Sequence, residues 1–164
     1  MSKAVLISIR PKWCEKIASG EKTIEVRKTR PNLPTPFKCY IYCTIDGIKK
    51  MPKDYIAESV ERGKVIGEFT CERIALIAYD GGELSSTTNA AFSSAMCLTL
   101  SESIAYIGDK GRCYGWHISD LRIYDPPKEL SEFTGLRDTK FGAAPYEIKR
   151  PPQSWCYVEA MKDG

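Results

Sequence analysis

Ala4 to Ile9 is a short apolar run, interrupted by Ser8, and suits a buried strand. Arg10-Pro11 ends it, and Pro11 sits well as a first helical residue, where its missing N–H costs nothing. Trp13 and Ile17 follow four residues apart on one helix face, and Gly20 supplies the stop. From Thr23 to Lys28 the chain alternates, with Ile24 and Val26 pointing one way and Thr23, Glu25 and Arg27 the other. This predicts a half-buried strand whose polar face carries the charges. A proline-rich connection, Arg30 to Pro36, cannot be helix. Beyond it Phe37, Cys39, Ile41, Cys43 and Ile45 interleave with Lys38, Tyr40, Tyr42 and Thr44, a strong strand signal closed by an Asp46-Gly47 turn.

Asp54 to Arg62 reads as a short helix ended by Gly63, and Lys64 to Ile77 as a long strand. Asp80 to Ser94, rich in Gly, Ser, Thr and Asn, reads as a loop, so residues 80–95 are expected to form a loop or insertion. Thr99 and Glu102 have capping-box spacing and head a helix over Leu100 to Ile107. Cys113 to Tyr124 is a strand region with a break near Ser119-Asp120, and Glu129 to Phe133 a helical turn. Phe141 to Pro152 reads as irregular, and Ser154 to Ala160 as the last strand. Neither a regular strand–helix alternation with a glycine-rich phosphate loop nor an internal repeat occurs. The count fits an α+β chain: a small mixed β-barrel of about six strands with three or four short helices.

With 164 residues the chain is expected to be a single domain spanning 1–164. Its 43% hydrophobic and 27% charged content is that of a soluble globular protein, large enough to need no metal or disulfide staple. A net charge of +3 is compatible with a polyanionic partner without demanding one. Seven cysteines are scattered, with no CxxC pair and no Cys/His cluster. Cys39 and Cys43, on one strand, would stand ~13 Å apart, too far to share a zinc ion. Reduced, mostly buried thiols of a cytoplasmic protein are expected, with no metal and no cofactor. No charged-then-apolar leader and no apolar run near ~20 residues occurs, so neither secretion nor a membrane location is expected.

The densest chemistry is Gly20-x-Lys22-x-x-Glu25-x-Arg27, three charges where a helix ends and a strand begins. With Leu6 to Pro11, Val65 to Phe69, Tyr114 to Leu121 and Pro151 to Trp155, this motif resembles the ASCH (activating signal cointegrator homology) family. The resemblance covers nearly the whole chain, with Asp80 to Ala95 least matched. It implies a PUA-like barrel and recognition of RNA. Some members are enzymes: one branch hydrolyses the amide of N4-acetylcytidine, and ribonuclease activity is described for others. The amidohydrolase branch has a threonine nucleophile where this chain has Glu25, while Lys22 is retained.

Arg10, Lys22 and Arg27 suit contacts to phosphate or to polar base edges, with Lys as a point charge and Arg as a planar fork. Glu25 would orient them or accept a base amino group. Lys12, Lys49 and Lys50 extend a basic edge, and Trp13 or Tyr42 would stack a base. His117, the one histidine, is expected to be structural, and with no second histidine a two-histidine ribonuclease mechanism is excluded. The expectation is thus a monomer recognising RNA or a nucleotide-like ligand. The alternative is a small hydrolase of modified nucleosides, or a metal-independent ribonuclease, using Lys22 and Glu25.

Overall fold

The computed structural model describes residues 2–45, 61–80, 83–84, 90–108 and 111–162. Strand β1 (Lys3–Ile9) lies inside the sheet, parallel to β3 (Phe37–Cys43) on one side and antiparallel to β9 (Trp155–Glu159) on the other. Its apolar run follows from that position, because both faces are covered. Val5, Ile7 and Ile9 enter one core and Ala4 and Leu6 a second. Helix α1 (Pro11–Ala18) and the short β2 (Ile24–Arg27) make the crossover between the parallel strands.

Two long strands, β4 (Val65–Asp80) and β6 (Arg112–Lys128), pair antiparallel with three shifts of register, and Asp120 has the positive φ of 49°. The break expected near Ser119-Asp120 is therefore a kink within one continuous strand. β5 (Glu83–Leu84), α2 (Ala90–Met96) and α3 (Leu100–Ile107) lie between these strands. The 80–95 stretch is thus not all loop. Ala90 to Met96 forms a helix although the four Ser and Thr residues at 85–88 before it read as loop, and Met96 and Ile107 bury Ile24 and Val26. Both members of the capping box expected at Thr99 and Glu102 form.

After a 3-10 turn, Leu130–Glu132, β7 (Thr134–Thr139) and β8 (Gly142–Glu147) form a hairpin, and β8 occupies part of the Phe141–Pro152 stretch expected to be irregular. Pro145 hid β8, but proline is tolerated because β8 is an edge strand. The strand order is β2-β6-β4-β3-β1-β9-β7-β8, with β5 beside β4. The α+β class holds. The barrel, however, is not closed by its backbone ladder, and there are more than six strands among the described residues. The Asp46-Gly47 turn, the greater part of the Asp54–Arg62 helix, and Lys49 and Lys50 lie outside the described residues.

Candidate nucleotide-binding site

The motif opens where α1 ends. Gly20 takes a φ of +82°, accessible to glycine at little cost, and its N–H bonds Ile17 O at 3.0 Å. This turn sends the chain back along α1, so that Lys22 N–H donates to Lys16 O at 2.9 Å. Lys22 then points inward and is 2% exposed. Its ammonium donates to Met96 O and lies 4.7 Å from the centre of the Trp13 ring. Burial pushes the Lys22 pKa below its ordinary 10.5, against the opposing pull of Glu25.

Glu25 and Arg27 share the inner face of β2, as the alternation requires, but that face is not open to solvent. Ile24 and Val26 are covered by the helices, and Glu25, 5% exposed, stands on the other face opposite Trp116 of β6. The half-buried strand expected from sequence is therefore buried on both sides. Glu25 Oε1 accepts from Val26 N–H at 3.1 Å and lies 3.8 Å from Arg27 Nε. Its Oε2 is buried with no hydrogen-bond partner among the described residues. Arg27 reaches across the gap between β2 and β1. One terminal nitrogen donates to Ser8 O at 2.6 Å, and the other lies 3.2 Å from Ser154 Oγ and 3.4 Å from Ser154 O. A guanidinium so engaged acts as a structural fork on these acceptors.

The other residues named from sequence divide clearly. Arg10 and Lys12 are exposed, and Lys12 Nζ lies 4.6 Å from the Trp13 ring centre, so half-buried Trp13 has an ammonium near it from each of two lysines. Tyr42 is not brought to this site. Alternation along β3 turns it into the second core beside Tyr40, where it is 4% exposed. Trp116 is fully buried in the first core. His117 is half-buried, and burial holds its imidazole below the ordinary 6.5.

Sequence reasoning missed Ser8, Ser154 and the Met96 carbonyl, the groups that absorb Arg27 and Lys22. Ser154 was inside a recognised block, but only long-range geometry shows what it binds. It also missed an open pocket of about 390 Å³ beside the motif, lined by Lys16, Glu21, Cys97 and Thr99 among others. All seven cysteines are free thiols, and five are buried. Among the described residues no group of three or more His, Cys, Asp or Glu is arranged to hold a metal ion, and no helix is long and apolar enough to cross a membrane.

No protein-family profile and no curated protein matches the chain. Solved structures do. A crystal structure of ASCH from Zymomonas mobilis is 18% identical, with a TM-score of 0.59 over 95% of this chain and 87% of that one. A serine-to-alanine variant of the same protein gives a TM-score of 0.63 at 19% identity, covering 95% of this chain and 88% of that one. A tyrosine-to-phenylalanine variant gives 0.59 at 18%, covering 96% and 91%. At this identity the likeness establishes fold, and the fold is that of ASCH.

Proposed function

We propose that this chain, built on the ASCH fold, recognises RNA or a nucleotide-like ligand at the Gly20–Arg27 motif. The observation that carries the reading is a division among the charges. Lys22, Glu25 and Arg27 are turned inward, whereas Arg10, Lys12, Lys28 and Arg30 are exposed just beyond the ends of β1 and β2. The Arg27 bond to Ser8 O holds those two strand ends together. Exposed cations gather phosphates by releasing counterions, while an interior polar group reads a base. Trp13 between them offers a stacking face.

The test is binding of labelled single- and double-stranded RNA at two salt concentrations, for wild type and an Arg10→Ala/Lys12→Ala double variant. The expected result is salt-sensitive binding whose salt slope falls by roughly 0.7 for each phosphate contact removed from a single strand. Equal binding and equal slope in both proteins would remove the rim from the proposal.

One observation favours a second, enzymatic reading. Burial lowers the Lys22 pKa below its ordinary 10.5, the direction that makes a lysine a better proton-transfer group. With Glu25 it would serve a nucleoside amidohydrolase or a metal-independent ribonuclease. Sizing the recovered RNA and chromatography of N4-acetylcytidine after incubation separate these from binding alone.

A further inference from the structure

We propose that Glu25 and Trp116 together read the Watson–Crick edge of an unpaired base, an inference that rests on the nucleotide-binding reading above. The two residues stand directly opposite one another on β2 and β6. Opposed residues of an antiparallel pair send their side chains to the same face, with Cβ atoms ~4.5–5.5 Å apart. Glu25 Oε2 and Trp116 Nε1 are both buried, and neither has a hydrogen-bond partner among the described residues, including each other. One is a carboxylate oxygen, which accepts; the other is an indole N–H, which only donates.

Two adjacent buried groups of opposite polarity, both unsatisfied, are costly unless a third party completes them. The complement is an N–H donor beside an acceptor. Every nucleobase carries this arrangement on its pairing edge. A phosphate dianion has no donor to give Glu25 and is repelled by it. The neighbouring cations do not compensate by binding phosphate themselves, because Lys22 is turned to Met96 and Arg27 to Ser8 and Ser154. Instead their positive charge makes a carboxylate tolerable at this depth. Trp13, half-buried, has its ring centre 4.7 Å from the Lys22 ammonium, and an aromatic face next to the motif suits stacking on an unpaired base. In a duplex the pairing edge is already used, so the site excludes paired bases.

The experiment follows the tryptophan indole N–H signals of ¹⁵N-labelled full-length protein, assigned with Trp13→Phe and Trp155→Phe. Short oligouridine is compared with its 3-methyluridine counterpart, and oligocytidine with its N4,N4-dimethyl form. Each pair keeps the phosphates and removes the donor. In at least one pair the parent oligomer is expected to bind about tenfold or more tighter and to move the Trp116 signal. Glu25→Gln, whose amide can also donate, should shrink that ratio. Equal affinity within both pairs, or an unmoved Trp116 signal on binding, overturns the edge-reading proposal and leaves RNA recognition standing. If no oligomer binds at any salt concentration, RNA recognition itself fails and the proposal falls with it.

Discussion

Lys22 shows what one residue contributes beyond its place in a motif. Its spacing from Glu25 and Arg27 was visible in the sequence, but its burial was not, because the helix that covers it lies in a stretch reading as loop. Burial also sets a pH signature. A lysine whose folded pKa is lowered releases its proton before the unfolded chain does. Between that lowered value and 10.5 the unfolded state therefore holds more protons, and stability rises with pH. Below the lowered value the full cost of burying the charge is present. Urea unfolding of wild type and Lys22→Met across pH should show the wild type gaining on the variant as pH climbs toward 10.5. A difference independent of pH would mean that Lys22 is not desolvated.

At the scale of elements, period-two alternation located β2, β3 and most of β4 and β6, because these strands carry apolar residues on a defined face. It failed at β7 and β8, where Gly135, Pro145 and several charges replace that pattern. Gly135 is explained by its partner, since the Tyr146 ring covers it and a Cβ there would stand 2.3 Å from a ring carbon. The packing of β4 on β6 depends on a similar absence. A Cβ at Gly67 would lie 2.5 Å from the Arg122 carbonyl oxygen, which is backbone and cannot rotate away. Gly67→Ala is therefore expected to cost about 1–3 kcal/mol, read as a lower urea midpoint with an unchanged slope. An unchanged midpoint would mean that the two strands slide apart freely.

Across the whole molecule, the ASCH resemblance anticipated the fold, while the open seam between β2 and β1 lay beyond sequence reading because a side chain, not a backbone ladder, spans it. Backbone pairing stops at β2, and Arg27 spans the remaining gap to β1 and to Ser154 beside β9. Arg27→Met removes three contacts and the charge beside buried Glu25, a loss on the order of 3 kcal/mol. Hydrogen exchange should quicken in β2 and in the helices resting on it, while β1 and β3 stay protected. Uniform quickening would instead make Arg27 a support of the entire sheet. The central place of β1 has a further consequence, set by time. One flank of this apolar strand is filled by β9, which the ribosome makes nearly 150 residues later. At about 5–20 residues per second, that flank waits on the order of ten to thirty seconds for its partner. During translation the strand is an uncovered pairing template, so nascent chains stalled before Trp155 should be bound by chaperones far more than completed ones.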